Sequence, residues 1–487
     1  MKKRQFLSML ILAGILASCG ESGTPADTTA ADTAAGDDTT AAESELAPNL
    51  PDLDLDGETI TILYRDAMKN EFWTEEQNGE IVNDAVYDKN VAVEDRFNCK
   101  LEYIANTDTN WNGGYQGVIS KSVLAGDETY NIVSGPSFHM PTLILENCLY
   151  NLNDLDHLDF DKPWWTQSLL ETTAFGDNVY LVSGDISLGM LKYIHLTYFN
   201  KRLADEYKMG NLYQTVLDGK WTVDKMEELT KDMYQDLNAN GAIDYNEDAF
   251  GYAITNDTLW RAYIDALELN YFRIGKNGLP EFDFSDQRSF DAFELFSRWI
   301  GPGSNGDIVM GTAWENDPTY KIFTDGRAAF VMGRLIDAET AYRDMKDDWG
   351  LLPIPKWDEA QEDYKVTING SESTFGVPVN SSKTEYIGAI MEALAYESWK
   401  TVTPAYFESA LKMKYNRDDT DESIQVINII KEGAIFSPAV QLSKLMGTNP
   451  DYIVGQSAKK GVALATAFAE VKTQWETKLQ DIIKTLS

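Results

Sequence analysis

The segment Thr59-Ile60-Thr61-Ile62-Leu63-Tyr64 decides the fold class of this chain. Ile60 and Ile62 alternate with threonines, which is the period of a β-strand with one buried face. Apolar residues then recur about every 3.6 positions, as in a helix, at Ile81, Ala85, Val86, Val93 and Phe97. Residues 101–104 are the next apolar strand. The order strand, helix, strand predicts a parallel pair with the helix on one face of the sheet.

The same order continues with a helix predicted over residues 116–124 and a short strand over residues 130–133, which ends at Ser134-Gly135-Pro136. The predicted fold class is therefore α/β. In such sheets ligands bind beyond the carboxyl ends of the strands. We therefore expect the functional loops of this part of the chain at residues 65–73 and 135–140.

A second α/β pattern begins near residue 180. Its predicted strands cover residues 193–199, 250–254 and 328–332, and its predicted helices cover residues 225–234, 257–267 and 290–300. Two amphipathic helices are predicted at residues 422–434 and 463–485. About 430 residues follow the polar N-terminal segment, which is more than one hydrophobic core usually serves, so two lobes are expected.

The first 18 residues have the three parts of a signal peptide: the cations Lys2, Lys3 and Arg4, an apolar run at residues 6–16, and the small residues Ala17 and Ser18. The run is shorter than the ~20 apolar residues of a membrane span. Leu16-Ala17-Ser18-Cys19 resembles the lipobox of bacterial lipoproteins, which implies that Cys19 becomes the lipidated N-terminus. The alternative is an ordinary secretory signal in which Cys19 has no role.

Residues 21–51 contain no aromatic residue and almost nothing apolar to bury. Such a segment cannot offset its own ordering entropy, which predicts a disordered acidic tether over residues 19–56. Behind a lipidated cysteine, the tether would hold the folded body at the extracellular face of the cell membrane. Contact with the membrane would then be through the lipid anchor only.

The charge of the chain excludes some partners. Loss of Lys2, Lys3 and Arg4 with the signal takes the formal net charge from −37 to −40, and no run of Lys or Arg concentrates positive charge. Binding to nucleic acid, or to an anionic membrane by charge, is therefore not expected.

Cysteine and histidine are too scarce for the common metal sites. Besides Cys19, the chain has only Cys99 and Cys148, which either pair or remain as free thiols. The histidines, His139, His157 and His195, include no pair at helical spacing, which disfavours a zinc site.

Residues 236–247 match the calcium-loop pattern D-x-[DN]-x-[DN]-G-x5-E at every specified position. The predicted ligands are the side chains of Asp236, Asn238, Asn240, Asp244 and Glu247 and the backbone carbonyl of Ala242. Gly241 permits the sharp turn, and Ile243 is expected to point inward. The expected role is structural, because a single loop has no partner loop through which to transmit a motion. A hydrophilic loop without a metal ion is the alternative.

Several short motifs follow one another along the body: Gly79-Glu80-Ile81-Val82-Asn83-Asp84-Ala85-Val86-Tyr87, Glu94-Asp95-Arg96-Phe97, Val179-Tyr180-Leu181, Tyr198-Phe199-Asn200-Lys201-Arg202-Leu203, Trp221-Thr222-Val223-Asp224-Lys225-Met226, Gly251-Tyr252, Phe323-Thr324-Asp325-Gly326-Arg327-Ala328-Ala329-Phe330 and Trp349-Gly350-Leu351-Leu352-Pro353-Ile354-Pro355. With the lipobox and the acidic tether, their order resembles the extracellular solute-binding proteins of carbohydrate ABC transporters, in particular the lipoproteins of this class in Gram-positive bacteria. The resemblance covers nearly all of residues 57–487.

The resemblance implies a two-lobed fold of the periplasmic-binding-protein type II, with a hinge between the lobes. Lobe one would comprise residues 57–180 with 367–415, and lobe two residues 181–366 with 416–487. Closure of the lobes around a ligand would be a hinge motion.

Two positions differ from the family pattern. Tyr130-Asn131-Ile132 has an uncharged Asn where relatives often have Asp. Met332-Gly333-Arg334-Leu335 lacks the tryptophan that many sugar binders have after this strand, so that aromatic contact is not expected here.

Sugars present apolar C–H faces and hydroxyl edges, so their sites combine aromatic rings with polar side chains. The resemblance implies that the ligand is contacted by Arg65, Asp66, Phe138, His139, Asp185, Asn256, Asp257, Trp260, Trp314 and Arg334. The alternative roles are core packing for Trp260 and a solvated or ion-paired position for Arg65 and Asp185.

By this resemblance, the chain is expected to be a monomeric, non-enzymatic substrate-binding lipoprotein of an ABC importer. It would capture an extracellular sugar or oligosaccharide between its lobes and deliver it to a membrane permease. One alternative keeps the fold but binds a peptide or another small polar solute, and another is a surface lipoprotein that binds without delivering. The enzyme alternative, a secreted carbohydrate-active hydrolase, requires two carboxylates about 5–9.5 Å apart.

Overall fold

The computed structural model describes residues 46–108, 114–175, 177–255, 259–312, 316–413 and 421–486. The predicted signal peptide, Cys19 and most of the predicted tether lie outside these residues. The strands are β1 (Glu58–Arg65), β2 (Cys99–Asn106), β3 (Ile132–Pro136), β4 (His195–Asn200), β5 (Phe250–Ile254), β6 (Phe272–Ile274), β7 (Pro280–Phe282), β8 (Ile308–Met310), β9 (Ala328–Arg334), β10 (Trp349–Leu352), β11 (Val366–Thr367), β12 (Ser373–Gly376) and β13 (Ala434–Ile435).

The α-helices are α1 (Ile81–Phe97), α2 (Gly114–Ala125), α3 (Pro141–Leu145), α4 (Gln167–Thr173), α5 (Gly189–Lys192), α6 (Lys201–Glu206), α7 (Leu212–Leu217), α8 (Val223–Thr230), α9 (Leu259–Ala266), α10 (Gln287–Ile300), α11 (Pro318–Thr324), α12 (Thr384–Glu397), α13 (Thr403–Met413), α14 (Asp421–Glu432), α15 (Pro438–Gln441), α16 (Ser443–Met446), α17 (Ile453–Lys460) and α18 (Leu464–Leu486). Short 3-10 helices include Asp66–Glu71, Leu335–Ala338 and Pro450–Tyr452. No helix of the described residues is both long and apolar enough to cross a membrane.

The first sheet has the strand order β12-β3-β1-β2. β1 pairs in parallel with β2 and β3, as its sequence predicts, and its last four residues are buried. β12 runs antiparallel to β3 and pairs Ser373 with Pro136. This register brings the loop after β3 next to the residues that precede β12.

The second sheet has the strand order β10-β4-β9-β5-β8. β5 is parallel to β8 and β9, whereas β4 is antiparallel to β9 and β10. In this register His195, at the start of β4, lies opposite Arg334, at the end of β9. The carboxyl ends of β5 and β9 therefore share an edge with the segment that enters the sheet.

Two antiparallel segments cross between the sheets. The first leads to β4 and the second leads from β11 to β12, and bridges join them at Val182 with Phe375 and at Ile194 with Ile368. β13 pairs in parallel with β11 beside them. The larger apolar core contains residues of both sheets, among them Val133 and Phe330. The two-sheet α/β fold class predicted from the sequence is confirmed, whereas the lobe boundaries stay a prediction.

The helix predicted over residues 225–234 ends earlier, as α8, at Thr230. The carboxylate of Asp307 accepts hydrogen bonds from the backbone N–H groups of Asp232 (3.1 Å) and Tyr234 (3.0 Å). The two N–H groups are therefore not available for helical hydrogen bonds, which ends the helix.

Cys99 and Cys148 are buried free thiols, and burial raises the pKa of Cys99 to about 11.

Candidate functional site

The carboxyl end of β1 meets the crossing segments at Arg65. Its side chain is only 8% exposed, and Nη2 donates a hydrogen bond to the carbonyl of Ser371 at 3.0 Å. Burial lowers the pKa of Arg65, and the nearby carboxylates of Glu71 and Glu372 oppose this effect. Arg65 therefore connects the end of the first sheet to the segment before β12.

Glu71 and Glu372 are both buried at the crossing segments. Oε2 of Glu71 accepts hydrogen bonds from the hydroxyl of Ser187 (2.9 Å) and the N–H of Ser373 (3.3 Å). Glu372 accepts from the N–H of Gly370 (2.7 Å) and from the hydroxyl of Ser137. Burial raises the pKa of both carboxyls, that of Glu372 to about 7. Both groups are hydrogen-bonded to the chain where the sheets join, which is a structural role.

The loop after β3 brings an aromatic pair to this junction. The rings of Phe138 and His139 lie 4.3 Å apart, and both residues are buried. Nδ1 of His139 lies 3.1 Å from Nε2 of Gln116 on α2. Burial, and then the cations Lys444, Arg65 and Arg261, lower the pKa of His139 to about 4, so its ring is neutral at physiological pH.

The second sheet contributes Arg334 at the end of β9. Its guanidinium carbon lies 5.5 Å from the ring centroid of Tyr193, which precedes β4. Nη2 also lies 3.4 Å from the hydroxyl of Tyr320 and 3.4 Å from Oδ1 of Asp337. Arg334 is therefore a cation over an aromatic face, and its guanidinium group is positioned by Tyr320 and Asp337.

Arg261 on α9 joins several elements at the junction. It donates from Nε to Asp451 (2.7 Å), from Nη2 to the hydroxyl of Tyr452 (2.7 Å) and from Nη1 to the carbonyl of Asn369 (3.0 Å). Its guanidinium carbon also lies 5.3 Å from the ring centroid of Phe138. Arg261 thus joins α9, the crossing segment and the Phe138 loop.

Lys444 on α16 approaches the same aromatic ring. Its Nζ lies 5.6 Å from the ring centroid of Phe138, and α16 contacts α3 directly after the Phe138 loop. Four residues of the junction were not predicted from the sequence: Arg261, Lys444, Asp451 and Tyr452. A signal existed for Arg261, which follows Trp260 in the helix after β5, but the residues beyond 440 belong to a distant segment without a local motif.

The structure thus brings Arg65, Phe138, His139 and Arg334 to one junction, whereas the side chains of Asp66 and Asp185 have other surroundings. Asp66 is exposed at the start of the 3-10 helix Asp66–Glu71. Asp185 is buried, accepts a hydrogen bond from the hydroxyl of Thr403 on α13, and has a pKa raised by burial to about 6.

The remaining predicted contacts have no described side chain. Asn256, Asp257 and Trp314 lie outside the described residues, and only the backbone of Trp260 is described, in α9. The role of all ten residues as ligand contacts stays a prediction.

A separate pocket of about 640 Å³ lies between α4, the turn between β6 and β7, and the segment from β13 to α15. Its lining mixes Glu171, Asp177 and Lys276 with Phe436 and contains none of the predicted ligand contacts. The junction has the stronger chemistry for recognising a solute, because it combines aromatic rings with buried, oriented cations.

The loop at residues 236–247 is held by its own side chains. Asp236 accepts from the N–H groups of Asn240 (3.2 Å) and Gly241 (2.8 Å), and Asn240 accepts from the N–H of Ala242 (2.7 Å). Nδ2 of Asn238 lies 3.3 Å from Oδ2 of Asp244. Gly241 has a φ of 73°, the left-handed conformation that the pattern requires.

Two observations qualify the calcium pattern. Ile243 is 40% exposed, not directed inward as expected, because Asp248 instead is buried under the loop and accepts from the N–H of Asp244 (2.8 Å) and the hydroxyl of Tyr234 (3.0 Å). Within the described residues, no three Asp, Glu, His or Cys side chains are grouped as metal ligands. A cation here would therefore depend on amide and backbone oxygens as well as carboxylates, which suits calcium better than a transition metal.

Two mixed α/β sheets joined by paired crossing segments, with functional loops meeting where they join, define the fold of two-lobed solute-binding proteins. Solved structures of this class match the chain along most of its length. The maltose/maltodextrin-binding domain MalE from Bdellovibrio bacteriovorus, bound to maltotriose, aligns with a TM-score of 0.53 and 12% identity over 87% of this chain and 100% of its own. At such identity the similarity establishes the fold.

Two further structures show the range of ligands among the neighbours. The galacto-N-biose/lacto-N-biose I-binding protein of an ABC transporter from Bifidobacterium longum, in complex with lacto-N-biose, aligns with a TM-score of 0.55 and 12% identity over 88% of this chain and 98% of its own. UgpB from Mycobacterium tuberculosis, in complex with glycerophosphocholine, aligns with a TM-score of 0.53 and 15% identity over 88% and 100%. No protein-family model and no curated protein matches the chain.

Proposed function

We propose that the chain is the substrate-binding lipoprotein of an ABC importer, which captures an extracellular sugar or oligosaccharide and delivers it to permease subunits. One observation carries the proposal: two cations, Arg261 and Lys444, lie 5.3 Å and 5.6 Å from the ring centroid of Phe138 where the two sheets meet. An aromatic face with polar groups at its edge is the usual surface for a sugar ring. The neighbouring structures that were solved with bound sugars support the same class of solute.

The proposal is tested by a thermal-melt screen of the full chain in detergent micelles with calcium present. Mono- and oligosaccharides are compared with peptides and amino acids, because a ligand that binds only the folded state raises the melting temperature. We expect a shift with one group of sugars, with the sugar recovered unchanged. A shift accompanied by cleavage would instead support a hydrolase, and the absence of any sugar shift would overturn the proposal.

A second candidate function keeps the fold and changes the solute to a small polar non-sugar. The observation that favours it is the number of cations at the junction, since UgpB of the same fold was solved with a phosphodiester. The same screen separates the two candidates when glycerophosphodiesters are included. A shift with these compounds and none with sugars would select the second candidate.

The anchoring and location of the chain belong to the same proposal. A lipid on Cys19 would place the monomeric body on the extracellular side of the membrane, with two or more acyl chains providing stable attachment. Mass spectrometry of the processed N-terminus tests it. A Cys19→Ser variant that still carries the lipid mass would refute the assignment.

Calcium at residues 236–247 is the proposed cofactor. The residues fit, because Asp236, Asn238, Asn240 and Asp244 already turn their oxygens and amides toward one another in a compact loop. These side chains, the carbonyl of Ala242 and Glu247 would hold the ion, which would stiffen the connection between α8 and β5. Removal of calcium by a chelator is expected to lower the melting temperature of the wild type.

A matched pair of variants tests the calcium site. An Asp236→Ala variant is expected to lose the response to calcium, whereas Asp205→Ala, at an exposed position on α6, should keep it. An equal response in both variants would show that calcium acts elsewhere.

A further inference from the structure

The geometry points to a carboxylated sugar, a uronate-containing mono- or oligosaccharide, as the solute, with Lys444 as the residue that selects it. This inference rests on the proposed function, because it concerns the same junction between the sheets. It adds the charge of the ligand and the side chain that recognises it, neither of which follows from the fold.

Lys444 has unused donors in a partly enclosed position. It is half-buried on α16, and its Nζ lies 5.6 Å from the ring centroid of Phe138. α16 also contacts α3, the helix that follows β3 of the first sheet. Among the described residues Lys444 has no hydrogen bond and no ion pair. A half-buried ammonium group that makes no hydrogen bond can donate to a ligand carboxylate.

The other cation at Phe138 is already engaged. Arg261 donates to Asp451, to Tyr452 and to the carbonyl of Asn369, so its donors are directed into the protein. It therefore serves as a fixed positive charge beside the ring, while Lys444 can turn its three donors toward a ligand. Both cations lie over the Phe138 ring, so a ligand carboxylate that pairs with Lys444 would lie close to this ring and to the fixed charge of Arg261.

The carboxylate of Asp451 is paired with only one of the two cations. Asp451 is 1% exposed and its Oδ2 pairs with Arg261 at 2.7 Å. Its Oδ1 is buried and has no donor within the described residues, so a sugar hydroxyl is a fitting partner. His139 adds no compensating charge, because burial and the surrounding cations keep its ring neutral. Lys444 and Arg261 exceed the single carboxylate of Asp451 by one positive charge, which one ligand carboxylate would complement.

Isothermal titration of the full chain in detergent micelles, with calcium present, tests this inference. The probes are di- and trisaccharides of galacturonic, glucuronic and mannuronic acid, each beside the same sugar after its carboxyl groups are reduced to alcohols. We expect at least one uronate to bind about tenfold or more tightly than its reduced form, in line with a charge-assisted hydrogen bond. Its affinity should also fall with rising salt concentration.

Variants of Lys444 identify the residue responsible. Lys444→Gln is expected to weaken uronate binding about 10- to 100-fold and to leave the reduced sugar within about twofold. Lys444→Arg should restore the preference for the uronate. Lys121→Gln, at an exposed position on α2, is the control and should behave as the wild type. Unchanged melting temperatures exclude loss of folding as the cause.

The outcomes separate the two levels of the proposal. Equal binding of uronates and reduced sugars, or no effect of Lys444→Gln, overturns the inference and leaves a sugar receptor. Tighter binding of sulfated or phosphorylated sugars than of uronates overturns the assignment of a carboxylate. The absence of binding to any sugar, neutral or acidic, refutes the proposed function itself.

Discussion

Replacement of Lys89 by methionine is expected to stabilise the protein, and to do so most at low pH. Lys89 on α1 is 3% exposed, and its pocket is lined by apolar side chains, among them Ile62, Phe72 and Leu394. Nζ donates one hydrogen bond, to the carbonyl of Phe72 at 2.9 Å. Burial lowers the pKa of Lys89 from 10.5 to about 7, so the ammonium form is disfavoured in the folded state.

The magnitude follows from that pKa. One pKa unit corresponds to about 1.4 kcal/mol, so the fall from 10.5 to about 7 amounts to a destabilisation on the order of 5 kcal/mol below pH 7. Methionine removes this cost and fills a similar apolar volume. The lost hydrogen bond costs about 1 kcal/mol, since Nδ2 of Asn90 still donates to the same carbonyl at 3.2 Å. A net gain of several kcal/mol is therefore expected at pH 6.

The pH dependence has a defined sign. Between pH 7 and 10.5 the unfolded chain keeps the Lys89 proton while the folded chain has lost it, so the stability of the wild type rises with pH. The advantage of Lys89→Met should therefore shrink by about 1.4 kcal/mol per pH unit in this range. Urea unfolding of both proteins from pH 6 to pH 9 measures it. Lys121→Met, an exposed change on α2, is the control and should show no such trend.

A free-energy difference between Lys89→Met and the wild type that stays constant from pH 6 to pH 9 would refute the argument. So would a variant that is less stable than the wild type throughout this range. Either result would mean that Lys89 keeps its charge in the folded protein, for example through penetrating water.

Two further predictions concern packing and a buried carboxylate. Gly184 has a φ of 148°, and an added Cβ would lie 2.0 Å from the carbonyl oxygen of Trp164, so Gly184→Ala should lower the free energy of unfolding by about 1–3 kcal/mol or more. The control is Gly117→Ala, in α2 with open space around it, which should raise the free energy of unfolding by up to about 1 kcal/mol. Equal effects of the two substitutions in urea unfolding would contradict this prediction. Glu392 accepts hydrogen bonds from the indole N–H groups of Trp164 (3.1 Å) and Trp165 (2.8 Å), and burial raises its pKa to about 7. Because the folded state then binds the proton more tightly than the unfolded state, the wild type loses stability between pH 4.5 and 7 relative to Glu392→Gln, and parallel unfolding curves at pH 5 and pH 7.5 would disprove the assigned pKa.

The sequence was most informative where structure depends on local pattern. Alternation at Ile60 and Ile62 and the helical period up to Phe97 predicted β1 and α1, because side-chain period and secondary structure are directly linked. The direction of β4 could not be predicted, because it is set by pairing with β9, more than a hundred residues later.

In the candidate site, too, some residues could be predicted from the sequence and others could not. The rule that ligands lie beyond strand ends pointed to the loops at residues 65–73 and 135–140, and the family resemblance selected Arg65, Phe138, His139 and Arg334, which the structure brings to one junction. Asp185 was chosen near the predicted hinge, yet it faces Thr403, because the chain turns toward α13 at that point. Lys444 and Asp451 could not be predicted as site residues, because no local pattern shows their contacts. Asp451, for example, pairs with Arg261, which is 190 residues away in the sequence.

The pairing of β12 with β3 determines when the first sheet can be finished during synthesis. β3 is made early, but its antiparallel neighbour at Ser373–Gly376 emerges only after every strand of the second sheet has been made. Until then β3 keeps an open edge, and the apolar face around Val133 lacks part of its cover. The first sheet is therefore begun before the second sheet but completed after it, and a nascent chain stalled before residue 373 is a species that needs protection from aggregation.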